Sequence, residues 1–81
     1  MNYTEYEMSR YHRYKHLEYE IECLLKERAQ DFHGEEMIER IDWEIKFHER
    51  NIYATKLELA KSLNGRGISF MQFTRDVQSA K

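Results

Sequence analysis

Four histidines and one cysteine are the residues of this chain best suited to bind a metal ion. His12 and His16 are four residues apart, so on a helix they lie on one face, in line with Cys23. Cys23 is two turns beyond His16, about 10 Å along a helix axis, which is too far for both to bind one ion. A site at the two histidines would need ligands from another chain, and the alternative is a solvent-exposed pair. We expect no metal and no cofactor.

The patterns typical of catalysis are missing from this sequence. Glu44 and His48 are four residues apart, but the chain has no Glu-x-x-His motif, so a di-iron bundle site is not predicted. Gly65-Arg66-Gly67 has neither a preceding strand nor the full glycine-rich phosphate-binding motif. No serine-histidine-aspartate set or carboxylate pair can be placed around a cleft. We expect the protein not to be an enzyme.

Basic and aromatic residues are mixed in residues 10–16, which raises nucleic-acid binding as a hypothesis. Consecutive residues of a helix point about 100° apart, so these bases scatter around the helix while the tyrosines face the core. A basic patch would then also need residues from elsewhere, and the candidates are Arg10, Arg13, Lys56, Lys61 and Arg66. The chain has no helix-turn-helix, zinc-finger or RNP-like motif, and its net charge is −2. Nucleic-acid binding is therefore the alternative function.

Composition indicates one small, folded, helix-rich domain. The 81 residues include no proline and three glycines, and 35% of them are charged. A single cysteine excludes an intrachain disulfide and favours a reducing, intracellular setting. No apolar run approaches the roughly 20 residues of a membrane span, and the polar amino terminus has no signal-peptide core. We expect a cytoplasmic protein without membrane contact.

The first predicted helix covers about residues 4–32. Thr4 and Glu7 fit the capping box S/T-x-x-E, with Tyr3 and Met8 at the staple positions on either side. His33-Gly34 is the expected break, because glycine can adopt a left-handed turn.

The second and third predicted helices cover about residues 35–63 and 69–79. Asn64-Gly65 ends the second helix, and Ser69 with Gln72 starts the third. Because the turn between the two long helices is short, they must pack as an antiparallel hairpin. The predicted fold class is therefore all-α, with a hairpin and a short carboxy-terminal helix.

The second long helix has two stripes at heptad spacing. The inner seam follows an a/d pattern and comprises Ile38, Ile41, Ile45, His48, Ile52, Thr55 and Leu59. The outer stripe lies on the opposite side of the cylinder; its apolar residues are Trp43, Phe47, Ala54 and Leu57, and the interface candidate Arg50 lies in line with them. A surface helix of a monomer needs one apolar face, so a helix with two is predicted to lie between two neighbours.

His48 is the polar residue among the isoleucines of the inner seam. We expect a buried histidine hydrogen-bonded to Tyr14, Tyr19 or Glu20 of the first helix. A polar seam residue can fix register and oligomeric state, and protonation of His48 would disfavour the bundle.

The short length of the chain favours association with a second chain. A two-helix hairpin of this size usually needs a disulfide, a metal or a second chain, and the third helix is too short to cover the hairpin. We therefore predict a homodimer that forms a four-helix bundle. The candidate interface residues are Trp43, Phe47, Arg50, Ala54, Leu57, Phe70 and Phe73.

Charge is unevenly distributed between the two ends of the predicted hairpin. The turn end, residues 17–46, has ten acidic and four basic residues, a net charge of −6. The open end, residues 1–16 and 47–81, has nine basic and five acidic residues, a net charge of +4. One interpretation is an ordinary, well-solvated surface. The other is a protein partner, or a second copy in reversed orientation, whose charges are opposite to those of these two ends.

The function predicted from sequence is protein–protein interaction. We expect a small homodimeric regulator, adaptor or inhibitor that acts on an unidentified protein partner, and an inhibitor encoded by a phage or mobile element would fit this description. A structural subunit of a larger assembly is a third class.

Overall fold

The computed structural model describes residues 3–30 and 34–79, and in this part of the chain every regular element is helical. Helix α1 spans Glu5–Arg28, α2 spans Glu35–Asn64 and α3 spans Phe70–Ser79. The two long helices pack along each other as a hairpin about 49 Å in its longest dimension, and α3 packs against α2. The predicted all-α hairpin with a short third helix is confirmed.

The start of α1 is the predicted capping box. The Thr4 hydroxyl accepts the Glu7 N–H at 3.1 Å, and the Glu7 carboxylate accepts the Thr4 N–H at 2.9 Å. Together these bonds satisfy two backbone donors that the first turn of a helix leaves without intrahelical partners.

The end of α1 comes earlier than the sequence predicted, at Arg28 instead of about residue 32. The Gln30 N–H bonds to the Glu27 carbonyl at 3.2 Å, a tight last turn that ends the helix. Leu25 is exposed there, so little apolar contact supports another turn. Phe32 and His33, part of the predicted helix and of the predicted break, lie outside the described residues.

Gly34 does not take the left-handed conformation expected of it. It is the N-cap of α2 with φ −77° and ψ 170°, which is extended backbone that any residue can adopt. The left-handed glycine of the described residues is Gly67, with φ 75°, in the loop between α2 and α3. That loop turns α3 back onto the hairpin.

The main hydrophobic core lies at the open end, where all three helices meet. It is built around aromatic rings: the Phe73 ring lies 4.6 Å from the Tyr3 ring and 5.6 Å from the Tyr11 ring, both edge to face. The buried members of this core are Tyr11, Tyr14, Leu59, Leu63, Ile68 and Phe73.

The inner seam of α2 is buried or half-buried at all seven positions. Ile41, Thr55 and Leu59 are its fully buried members. The Thr55 hydroxyl donates to the Asn51 carbonyl at 2.7 Å, which satisfies its polar group inside the seam. The first of the two predicted stripes is therefore the side of α2 that packs within the chain.

Candidate functional site

The outer stripe of α2 is exposed along its whole length. Trp43, Phe47 and Leu57 are 64%, 48% and 44% exposed, and Arg50 and Ala54 are exposed as well. These residues follow one another at spacings of four, three, four and three, so they form one line along the helix. The structure therefore shows a second heptad stripe that nothing in the described chain covers.

Trp43 and Phe47 are the centre of this exposed surface. Their rings are stacked, with centroids 5.3 Å apart and planes inclined by only 8°. Lys46 and Arg50 lie beside the stack and line a shallow groove with the two rings. Large aromatic residues next to arginine are typical of the residues that contribute most to binding at protein interfaces.

Phe70 and Phe73, which were predicted to lie at the interface, are not part of this exposed stripe. Phe73 is 0% exposed and Phe70 is partly buried, because α3 packs over the open end of the hairpin. The Phe70 ring lies 6.0 Å from the Tyr14 ring. Helix α3 therefore stabilises the chain's own core and leaves Leu57 on the outer stripe exposed.

His48 lies in the inner seam as predicted, but its expected hydrogen bond to α1 was wrong. Its Nδ1 atom is buried and has no hydrogen-bond partner among the described residues. Tyr19 points to solvent, and Glu20 lies 3.2 Å from His16, one turn earlier on its own helix. No hydrogen bond joins His48 to Tyr14, Tyr19 or Glu20, which leaves its Nδ1 atom unpaired in an apolar seam.

The predicted basic patch is largely neutralised by acidic partners. Arg10 lies 4.0 Å from Glu58, and Lys56 lies 3.7 Å from Glu18 and over the Tyr14 ring. Arg66 forms an ion pair with Glu7, whose side chain is 0% exposed. Among the described residues, only Arg13 and Lys61 of the patch have no acidic group within ion-pair distance. The five candidate residues of the basic patch therefore do not form a continuous set of unpaired cations.

Glu7 is the polar residue whose role sequence reasoning missed. Its carboxylate accepts the Thr4 N–H, the Ser62 hydroxyl at 2.9 Å and the Arg66 guanidinium, so it joins the start of α1 to the end of α2 and the following loop. Burial raises the pKa of Glu7, but these hydrogen bonds outweigh burial and hold the pKa below its ordinary value. The capping-box motif identified Glu7, but it gave no sign of these two distant partners.

Tyr3 makes a second polar link across the open end. Its hydroxyl donates to an Asp76 carboxylate oxygen at 2.7 Å, which ties the segment before α1 to α3. This hydrogen bond raises the pKa of the Tyr3 hydroxyl, since it would have to be broken for the tyrosine to ionise beside a carboxylate. The Glu7 and Tyr3 links therefore hold all three helices together at this end.

The described residues contain no group of three histidine, cysteine or acidic side chains placed to hold a metal ion. His12 and His16 lie exposed on α1, and Cys23 is exposed further along the same helix. Across residues 3–30 and 34–79, no helix combines the length and apolar character needed to cross a membrane.

The fold and its exposed stripe define a helical hairpin with a short third helix and one unpaired heptad surface. Comparison of the chain with protein-family models, curated proteins and solved structures found no match.

Proposed function

We propose that this protein is a non-enzymatic protein–protein interaction module that acts as a helical homodimer. It acts on a protein partner as a regulator, an adaptor or an inhibitor. The outer stripe of α2 is its contact surface for self-association, and the assembled bundle is the form that meets the partner.

The observation that supports this proposal most strongly is the Trp43–Phe47 stack on an uncovered heptad stripe. Single exposed apolar residues are ordinary on protein surfaces, whereas a line of them at a/d spacing is the pattern of a helix that packs against another helix. The chain's own packing elements are already placed, because α1 and α3 both lie against the other side of α2. No described residue covers the outer stripe, which supports cover by another chain.

The ion pairs at the open end favour a protein contact over nucleic-acid binding. A surface that binds phosphates offers cations that exchange water and counterions for phosphate oxygens. Arg10, Lys56 and Arg66 already have carboxylate partners within the chain. Nucleic-acid binding would have to break these pairs.

The test is self-association of the double variant Trp43→Glu with Phe47→Glu. Both side chains lie outside the core cluster, so we expect a folded monomer, while the wild type is a dimer by light scattering. Met71→Glu is the matched control, because Met71 is a 69% exposed apolar residue on α3, away from the stripe. Helical circular dichroism of all three proteins checks that the fold is kept.

Two results would contradict the proposal. The first is a wild-type chain that remains monomeric at high protein concentration. The second is tight binding to a mixed-sequence oligonucleotide with a steep linear fall of log affinity with log salt, which would favour the nucleic-acid function.

A further inference from the structure

We propose that the outer stripe pairs with the same stripe of a second copy in antiparallel orientation, about a two-fold axis midway between His48 and Glu49. This inference rests on the proposed function and adds the orientation and register of the contact. It is derived from the exposed positions of α2 and from the charges and sizes of the side chains there.

The exposed heptad pattern extends beyond the five residues of the outer stripe. Arg40 and Glu36 continue the four-three spacing towards the start of α2, and Lys61 continues it towards the end. All eight positions from Glu36 to Lys61 are exposed. They span about 38 Å at 1.5 Å per residue, which is long enough for a helix–helix contact over the length of the hairpin.

Reversal about the midpoint places each of these positions opposite another member of the pattern. Trp43 meets Ala54 of the second copy, so the largest side chain of the stripe lies opposite the smallest. Packing large residues against small ones lets two helices approach closely without voids or overlap. Each such pairing occurs twice in the dimer because the contact is two-fold symmetric.

The charged positions of the pattern are matched by the same reversal. Phe47 meets Arg50 of the second copy, a ring opposite a guanidinium, which is an attractive cation–π arrangement. Glu36 meets Lys61 of the second copy, so opposite charges close the contact at both ends. Arg40 meets Leu57, over which its aliphatic stem can pack.

Two alternative arrangements bring like charges together, and an antiparallel shift by one heptad towards the end of α2 separates Glu36 from Lys61. In a parallel pair, each position meets its own copy, so Glu36, Arg50 and Lys61 would each face an identical charge. An antiparallel pair shifted by one heptad towards the start of α2 places Arg40 opposite Arg50. Like charges in direct contact are destabilising, so these arrangements are disfavoured.

The charge of the whole chain also supports the antiparallel orientation. With the α2 helices reversed, the turn end of one copy, with a net charge of −6, lies beside the open end of the other, with a net charge of +4. In a parallel dimer, ends of the same sign would lie together. The long-range field and the residue pairing therefore favour the same orientation.

Charge reversal with rescue tests this register. Glu36→Lys and Lys61→Glu should each weaken the dimer about three- to tenfold, since two exposed attractive pairs become repulsive. The double variant Glu36→Lys with Lys61→Glu restores opposite charges and should return the dissociation constant close to that of the wild type. Glu35→Lys is the matched control, because it puts the same charge change in the first turn of α2 but outside the pattern.

The outcomes separate this inference from the proposed function. Sedimentation equilibrium should show weakening in both single variants, recovery in the double variant and no change in the control. A wild-type dimer without this recovery would overturn the register and leave the proposed function standing. Equal weakening in the Glu35→Lys control would also overturn it, because the effect would then come from net charge. No wild-type dimer at any concentration would overturn both.

Discussion

The two sides of α2 have the same heptad spacing but opposite surroundings. The inner seam packs against α1 and α3, and none of its seven positions is exposed. The outer stripe, with Trp43 at its centre, is exposed at every position. Spacing alone therefore identifies a helix that can pack on two sides, whereas the packing of α1 and α3 shows which side is filled within the described chain. The inner side stabilises the chain, and the outer side is available to another molecule.

The largest expected effect on stability distinguishes a phenylalanine in the core on the inner side of α2 from one on the outer stripe. Each is replaced by alanine in a separate variant. Phe73→Ala should lower the free energy of unfolding by about 3–5 kcal/mol, because it empties a fully buried site between Tyr3 and Tyr11. Phe47→Ala should change monomer stability by less than about 0.5 kcal/mol, since its ring lies at the surface. Urea denaturation at low protein concentration measures both. Equal losses would mean that the outer stripe belongs to the monomer core.

A smaller loss of stability is expected when the hydrogen-bond network of Glu7 at the open end is weakened. Glu7→Gln should lower the free energy of unfolding by about 1–3 kcal/mol, because it removes the charge from hydrogen bonds to a buried carboxylate. Glu5→Gln is the matched control, since Glu5 is an exposed acid in the same first turn. Thermal and urea unfolding of the two variants compare them directly.

The stability difference between the wild type and Glu7→Gln should depend on pH, and the direction of that dependence follows from the pKa of Glu7. The pKa of Glu7 is lower in the folded state than in the unfolded state, so its contribution is present at neutral pH and above the unfolded pKa. It is lost as the pH falls below about 4.5 and through the folded pKa, because the unfolded chain takes up the proton first. Wild type and Glu7→Gln should therefore converge in stability on acidification. A gap that stays constant down to pH 3 would contradict this role of Glu7.

The smallest of these effects concerns the polar residue inside the inner seam. His48→Leu should raise the free energy of unfolding by about 1–2 kcal/mol, because it removes a buried nitrogen that has no partner. His12→Leu makes the same chemical change at an exposed position and should be nearly neutral. A clear loss of stability in His48→Leu would show that His48 makes a favourable interaction in the assembled protein.

Local patterns in the sequence predicted much of this fold. Heptad spacing located the inner seam and the outer stripe, and the capping box located the start of α1 at Thr4. These features depend on residues within a few positions of one another, so the helix period is enough to recognise them. The antiparallel hairpin followed from the short connection between two long helices.

The structure departs from the expectations mainly where contacts join residues far apart in the chain. Phe73 was predicted to lie at the interface, whereas it is buried in the core, and periodicity does not say which neighbour its apolar face meets. Arg66 was placed in a candidate basic patch, and no local pattern indicated its ion pair with Glu7, which is 59 residues away. His48 was expected to find a partner on α1, but partner availability depends on side-chain directions in the folded hairpin. Such pairings are set by tertiary packing and have no local signature.

The fluorescence of Trp43 as a function of protein concentration tests self-association through the outer stripe most directly. Trp43 is the only tryptophan of the chain and is 64% exposed in the monomer, so its emission reports on this surface alone. As the dimer forms, the emission should shift to shorter wavelength and acrylamide quenching should fall, because the indole becomes covered by the second copy. The Lys61→Glu variant should need a higher protein concentration for the same shift. Emission and quenching typical of a solvent-exposed indole at every concentration would contradict burial of the outer stripe by a second chain.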